Sequence, residues 1–248
     1  MNRCLLLLLA LSPLVTLAAD PSALDLLRKG EAALRDHGNR GLYRVRIVRP
    51  DWQRNLEVRV WDDPVHDRAR LELRKPRKAR GTQFLKVDGR LSMYLPKLRR
   101  QIAISPAMMQ DPWMGSDFNN QDLLEASALI DQYRHQIVGE EKADGHTVYT
   151  IESLPKPDAP ATWSRLIQRV RDDGLPLQID FYCKAGHLKR RLRFLAPRTF
   201  DGHLVPARWR MEPQKDKRQY TEIELRELHF GPVTDDSAFH PLGKTHHP

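Results

Sequence analysis

The sequence predicts a mainly β protein: a single, strongly curved antiparallel sheet (an unclosed β-barrel) with an N-terminal helix and a short helical lid. Apolar and polar residues alternate with a period of two in many short runs. Turn pairs such as Asp88-Gly89, Asp144-Gly145 and Asp201-Gly202 separate these runs. Helical periodicity is confined to the N-terminus and one central segment. Because the turns join neighbouring runs, the pattern favours an antiparallel meander.

The first 19 residues have the plan of a secretory signal peptide. A basic start at Arg3 precedes the apolar run Leu5 to Leu11, and small residues follow at Ala18 and Ala19. The run is shorter than the ~20 residues of a membrane span, so a retained anchor is the weaker alternative. We therefore expect export to the periplasm, one folded domain over residues 20–243, and a disordered tail over 244–248.

One helix and thirteen strands are predicted in the exported chain. Residues 21–37 form an amphipathic helix, with Leu24, Leu27 and Leu34 on one stripe, and Gly38 ends it. The alternating runs are 43–48, 56–61, 69–73, 85–87, 91–95, 102–104, 136–143, 147–153, 163–170, 177–183, 188–194, 207–211 and 221–225. Between the sixth and seventh runs, we expect a helical turn at 106–110, a loop over 111–120 and one or two short helices over 121–131. These helical pieces are the predicted lid over the concave face of the sheet.

The chain is basic, with a formal net charge of +9. In an exported protein this charge suggests an anionic lipid or an acidic partner, and no recognition helix, zinc-finger spacing or aromatic RNA-binding motif favours nucleic acid. Six basic side chains are predicted on the solvated faces of two strands: Arg68, Arg70 and Arg74, and then Lys189, Arg191 and Arg193. They are interpreted either as solubilising surface or as a row that steers the protein to anionic membranes. Arg190 falls in the opposite, apolar phase.

Catalysis is not expected, and neither is a cofactor or a metal site. The ten histidines are scattered singly except for His246 and His247, and no metal-binding spacing is present. Ser116-Asp117 lacks the Gly-x-Ser-x-Gly turn of a hydrolase. Cys183 is the single cysteine after the signal peptide, so no internal disulfide can form, and we expect it to be buried in a strand.

Four segments carry a resemblance to a known family. They are 91–105 (LSMYLPKLRRQIAIS), Met114-Gly-Ser-Asp-Phe118 with Asp122-Leu123-Leu124, 175–189 (LPLQIDFYCKAGHLK) and 223–230 (IELRELHF). In this order they resemble the outer-membrane lipoprotein-sorting (LolA-like) family. The resemblance implies an unclosed barrel whose helical lid covers a hydrophobic cavity for lipoprotein acyl chains, and it implies no catalytic residues. The motif residues Met114, Gly115, Ser116, Asp117 and Phe118 are expected either to fix the loop that anchors the lid or to contact the ligand.

The predicted ligand cavity is rich in methionine. Methionine is flexible and polarisable, which suits a wall that must accept variable apolar shapes. The candidate cavity residues are Met93, Leu95, Met108, Met109, Trp113, Met114 and Phe118. The same cluster is also compatible with an ordinary core in which methionine fills gaps.

The predicted function is therefore a periplasmic lipid or lipoprotein carrier, with acyl chains and an envelope membrane transporter as partners. Two alternatives stay open. One is a lipid-responsive sensor or accessory subunit of an envelope transporter complex, and the other is a structural component of the envelope that has no ligand.

Overall fold

The thirteen strands that the structure describes lie in one antiparallel sheet. The computed structural model describes residues 21–124 and 128–240, so the predicted signal peptide at 1–19 and the predicted tail at 244–248 lie outside the described residues. The strands are β1 (Asn39–Val48), β2 (Gln53–Asp63), β3 (Arg68–Lys75), β4 (Gln83–Val87), β5 (Arg90–Leu95), β6 (Arg100–Ala103), β7 (Tyr133–Ala143), β8 (His146–Pro155), β9 (Arg165–Arg171), β10 (Pro176–Tyr182), β11 (Leu188–Phe200), β12 (His203–Pro213) and β13 (Tyr220–Phe230). Each predicted run overlaps one of these strands, so the predicted fold class is confirmed.

The strand order is β6-β5-β4-β3-β2-β1-β13-β12-β11-β10-β9-β8-β7. Two meanders, β1–β6 and β7–β13, therefore meet at the pairing of β1 with β13, where Val45 lies opposite Ile223. β6 and β7 are the free edges, so the sheet is not closed into a barrel.

The lid runs from one edge strand to the other. It comprises residues 106–131, with single helical turns at Pro106–Met108 and Trp113–Gly115 and the short helices α2 (Asn120–Leu124) and α3 (Ala128–Asp131). The predicted helical turn at 106–110 and the predicted short helices over 121–131 are found here, whereas the predicted loop over 111–120 contains the additional helical turn Trp113–Gly115. Because β6 precedes the lid and β7 follows it, the lid joins the two edges of the sheet.

Helix α1 (Ala23–Arg35) packs on the inner face of the sheet, as its amphipathic pattern predicts. The hydroxyl of Ser22 caps it by accepting a hydrogen bond from the N–H of Asp25 at 3.1 Å. Leu26 and Leu27 are buried with Ile151 and Val170 of the β7–β13 meander. This packing fixes α1 over one half of the sheet, where it borders the space under the lid.

Gly30 allows α1 to approach the sheet closely. A Cβ atom at this position would lie 2.4 Å from the carbonyl oxygen of Gly174, in the turn that precedes β10. Two backbones therefore touch here, and neither can yield by changing a rotamer.

We expect Gly30→Ala to destabilise the protein although alanine is the better helix former. The steric conflict should lower the free energy of unfolding by about 2 kcal/mol, typical of overpacking, and so outweigh the ~1 kcal/mol that alanine gains over glycine in a helix. Urea unfolding measures this difference. The control is Ala32→Gly at an exposed position of the same helix, which should cost ~1 kcal/mol through helix propensity alone. A more stable Gly30→Ala protein would contradict the close approach.

The predicted solvated arginine row on β3 is wrong for Arg70, which is only 4% exposed. Its guanidinium donates to Glu72 Oε2 at 2.5 Å and to the carbonyl of Ala238 at 3.1 Å, and it lies 4.6 Å from the ring centre of Trp61. The C-terminal turn Asp236–Phe239 covers this outer face, since Ala238 and Phe239 are buried. The segment that covers Arg70 lies more than 160 residues further along the chain. The sequence around Arg70 therefore gives no indication that this side chain is buried.

The other members of the predicted row are mostly ion-paired. Arg68 contacts Asp63 and Asp236, and Arg74 contacts Glu72. On β11, Arg191 is bidentate to Asp180 and Arg193 contacts Glu212, which leaves Lys189 exposed. The two strands therefore do not present a free row of six cations.

Cys183 is not buried within a strand as expected. It is half-buried and follows the last residue of β10, in the turn toward β11. Desolvation is the largest single influence on the pKa of the Cys183 thiol and raises it, but the backbone hydrogen bonds of this turn together outweigh it, so the pKa is lowered overall.

None of the helices within residues 21–124 and 128–240 has the length and apolar character that a membrane crossing requires.

Candidate functional site: the cavity under the lid

A cavity of about 370 Å³ lies between the inner face of the sheet, α1 and the lid. Both meanders contribute to its wall, because inward-facing side chains alternate with outward-facing ones along each strand. The apolar residues of its wall include Tyr43, Val45, Val58, Val60, Leu71, Ile179, Phe181, Leu192, Phe194, Trp209, Met211 and Ile223 from the strands, Leu27 and Leu34 from α1, and Trp113, Phe118, Leu123, Leu129 and Ile130 from the lid.

Aromatic rings form much of this wall and contact one another edge to face. The ring centres of Tyr43 and Trp209 are 6.2 Å apart, and those of Phe194 and Trp209 are 6.1 Å apart. Trp163 meets Phe181 at 5.3 Å. Rings in this geometry attract one another and keep a defined shape, so the cavity is a preformed apolar space.

A charged group of wall side chains lies near the turn between β2 and β3, while Gln168, Gln178 and Asp122 line other parts of the cavity. Arg35 at the end of α1 is bidentate to Asp62, with distances of 2.6 and 2.7 Å. Lys86 is buried and donates to Asp67 at 2.6 Å. Burial, and next the negative charge of Asp62, raise the pKa of Tyr43 above its ordinary value. The cavity thus has a charged, polar end near Arg35 and Asp62 and a wall that is otherwise mainly apolar.

The lid is attached to both meanders by charged and polar contacts. Arg190 on β11 donates to Asp122 at 2.8 and 2.5 Å and to the carbonyl of Asp117 at 3.2 Å. Its guanidinium also lies 4.6 Å from the ring centres of Trp163 and Phe181. Arg190 thus faces inward, as its apolar phase predicts, and pairs with the lid. These residues come from separate parts of the chain, which sequence reasoning did not connect.

A second attachment uses the predicted motif 114–118. The carboxylate of Asp117 accepts hydrogen bonds from the hydroxyl of Thr221 at 2.7 Å and from Arg49 at 3.1 Å. Arg49 also donates to the carbonyl of Gly115 at 2.8 Å, and Arg54 donates to the carbonyl of Met114 at 2.9 Å. Gly115 has φ +81°, a left-handed conformation that suits glycine. In this structure the motif forms a tight loop fastened to the β1–β2 turn, β2 and β13.

The seven predicted cavity residues separate into two that line the cavity, four that pack against a core cluster, and Leu95. Trp113 and Phe118 line the cavity. The four methionines lie partly buried against a core cluster of the β1–β6 meander: Met93, Met108, Met109 and Met114. Leu95 lies at the end of β5, opposite Arg100 of the edge strand. Contact of these residues with a ligand stays a prediction.

Most of the cavity wall was missed by sequence reasoning. Leu192, Phe194, Trp209 and Met211 lie on strands whose alternation was recognised, and the cavity lies on their inner side. The alternation distinguishes inner from outer positions but not a packed core from an enclosed space. The positions of α1 and the lid decide between the two.

Among the described residues, one group of side chains has the proximity of potential metal ligands: His146, Asp172 and Asp173. His146 Nδ1 is 2.8 Å from Asp172 Oδ1, and Asp173 is paired with Arg171. The backbone N–H of Thr147 is the largest influence that lowers the pKa of Asp172, to about 2. These contacts already engage both carboxylates, and none of the three residues is part of the cavity wall.

Comparisons with known proteins agree with this architecture. A DUF1329 family protein from Desulfovibrio piger is 24% identical with a TM-score of 0.77, covering 88% of this chain and 95% of that one. A putative outer membrane lipoprotein-sorting protein domain from Vibrio parahaemolyticus is 21% identical with a TM-score of 0.75, covering 88% and 96%. A LolA superfamily protein from Nitrosomonas europaea is 18% identical with a TM-score of 0.72, covering 89% and 98%. No curated protein sequence matches the chain.

The resemblance predicted from the sequence is thus confirmed at the level of the fold. In addition, a family model described as "uncharacterized protein" matches residues 66–242, which include the lid and most of the sheet. The chain belongs to the family that this model describes, and its fold is that of the LolA-like lipoprotein-sorting proteins.

Proposed function

We propose that this protein is a periplasmic carrier that holds the acyl chains of a lipid or lipoprotein in the cavity under the lid. The observation that supports this most is the cavity itself, whose apolar wall is supplied by both meanders, α1 and the lid. Its volume of about 370 Å³ falls within the ~300–1,000 Å³ typical of ligand pockets. The predicted signal peptide at 1–19 supplies the route to the periplasm, and an envelope membrane transporter is the proposed donor or acceptor of the cargo.

Burial of methylene groups supplies the affinity in this proposal. Each buried CH₂ contributes ~0.8 kcal/mol, so one acyl chain needs few polar contacts to be held. The headgroup or the acylated terminus lies toward the polar end near Arg35 and Asp62, where an ion pair already marks the edge of the apolar wall. The chain then extends along Tyr43, Trp209 and Phe194 toward the lid.

We expect Leu123→Asp to weaken the binding of a fluorescent long-chain fatty acid by at least about tenfold, because a carboxylate in an apolar cavity loses its hydration without gaining a partner. Leu123 belongs to the lid and lines the cavity, so the sheet should stay folded. Val138→Asp is the matched control, since Val138 is 51% exposed on the edge strand β7.

Three readouts test the proposal together. Native mass spectrometry should show co-purified lipid, the fatty acid should bind saturably at micromolar protein, and tryptophan fluorescence should change because Trp113, Trp163 and Trp209 line the cavity. Circular dichroism confirms that both variants are folded. The carrier proposal fails if the wild-type protein shows no saturable binding, or if Val138→Asp weakens binding as much as Leu123→Asp does.

A further inference from the structure

Six exposed cations lie together at one corner of the sheet, and none of them belongs to the predicted arginine row. This basic tip comprises Arg77, Lys78, Arg80, Lys97, Arg99 and Arg100. The first three belong to the β3–β4 connection and the others to the β5–β6 hairpin. Since β4 and β5 are antiparallel neighbours, both connections leave the same end of the sheet. A Cβ atom on Gly81 would lie 3.4 Å from the Pro96 side chain, which shows that the two connections touch.

The charge of the basic tip is uncompensated. Within the part of the chain that the structure describes, none of the six side chains has an ion-pair partner, whereas Arg190, Arg191 and Arg193 are each paired. The single acidic residue between positions 73 and 110 is Asp88. It occupies the β4–β5 turn, at the opposite end of these strands. Six like charges held this close repel one another, and an anionic surface would relieve that repulsion.

An exposed apolar side chain stands among these cations. Leu98, at the turn of the β5–β6 hairpin, is 61% exposed, and Ile102 of the edge strand is 36% exposed. Basic side chains that surround a protruding leucine match a lipid interface, where phosphates meet the cations and the leucine enters the acyl boundary. An acidic protein surface would satisfy the cations alone.

We propose that the basic tip docks the protein onto an anionic lipid surface, with Leu98 inserted among the headgroups. The proposal goes beyond cargo binding, because it needs no ligand in the cavity.

The test is co-sedimentation with vesicles of phosphatidylcholine alone and of phosphatidylcholine with 30–40% phosphatidylglycerol (roughly the anionic content that gives a strong surface potential). Wild-type protein should bind the anionic vesicles only, and more weakly at high salt because screening shortens to about 8 Å at physiological ionic strength. Each basic residue near the surface contributes about fivefold in partitioning, so Lys97→Gln/Arg99→Gln/Arg100→Gln should lose on the order of a hundredfold. Leu98→Ser, which keeps the charge, should lose about fivefold.

The matched control removes three exposed cations from the other meander: Arg134→Gln/Lys184→Gln/Lys189→Gln. It should retain most of the binding, and so should the lid variant Leu123→Asp. Equal binding to neutral and anionic vesicles overturns the proposal, as does an equal loss in the control. A loss in Leu123→Asp also overturns it, because the vesicles would then be held through the cavity. A further result would also overturn the proposal: no binding to vesicles, together with binding of polyglutamate to the wild-type protein but not to the triple variant. The basic tip would then be a binding surface for an acidic protein.

Discussion

Replacing Arg190 by methionine is expected to lower the free energy of unfolding by about 3 kcal/mol, the usual cost of removing one partner from a buried ion pair. Arg190 is buried, holds Asp122 with two hydrogen bonds and stacks against Trp163 and Phe181. Methionine keeps much of the packing but leaves the carboxylate of Asp122 facing the sheet without its cation. We expect the lid to loosen together with the loss of stability.

Urea unfolding measures the first effect, and hydrogen exchange of the amides at 119–124 measures the second. Arg193→Met is the matched control, because Arg193 lies on the same strand and its pair with Glu212 is more exposed than the pair of Arg190 with Asp122. This control should change stability by less than about 1 kcal/mol. Asp122→Asn should recover part of the loss in the Arg190→Met background, since it removes the unpaired charge. Equal losses at Arg190 and Arg193 would show that the lid contact is no stronger than a surface pair.

Trp113 is expected to matter more for stability than its place in the cavity wall suggests. It is 3% exposed, packs in the core cluster of the β1–β6 meander, and meets Phe84 edge to face at 5.9 Å. Trp113→Ala should therefore cost about 4 kcal/mol, typical of a large aromatic residue in a core. Its indole N–H has no hydrogen-bond partner within the described residues, and burial of such a group is unfavourable.

Trp113→Phe separates these contributions. It keeps an aromatic ring against Phe84 and removes the unpaired N–H, so we expect it to cost less than half as much as Trp113→Ala in thermal unfolding. Phe118→Ala, at a half-buried position of the same wall, should also be milder. If Trp113→Ala were tolerated as well as Phe118→Ala, the residue would belong to a loose lid rather than to the core.

The sequence predicted the strands well because alternation is a local signal. Val45 and Ile47 face inward and Arg44 and Arg46 face outward, and this alternation depends only on the local strand sequence. Contacts between distant segments have no such signal. The pairing of Arg190 with Asp122 joins residues 68 positions apart, and the burial of Arg70 depends on Ala238. The candidate site was therefore predicted as a lid over a concave face, while most of its wall was not.

The methionines also show that local sequence does not determine which side chains line the cavity. Composition indicated an adaptable apolar region around residues 93–118, and the structure places an apolar lid there. Whether a given side chain faces the cavity or the core below it depends on the path of a loop. That path is set by Arg49 in the β1–β2 turn, Arg54 on β2 and Thr221 on β13, all of which hold the loop.

The attachment of the lid to both free edges has a mechanical consequence. In an open sheet of thirteen strands, the two edge strands would ordinarily be free to move apart, so that the sheet could flatten or twist easily. Here the lid connects β6 to β7 across that opening. Arg190, Arg49 and Thr221 attach the middle of the lid to the sheet. The curvature of the sheet and the position of the lid therefore depend on each other. If the cavity holds the proposed cargo, a bulkier ligand that displaces the sheet would also displace the lid, and its size would affect both edge strands together.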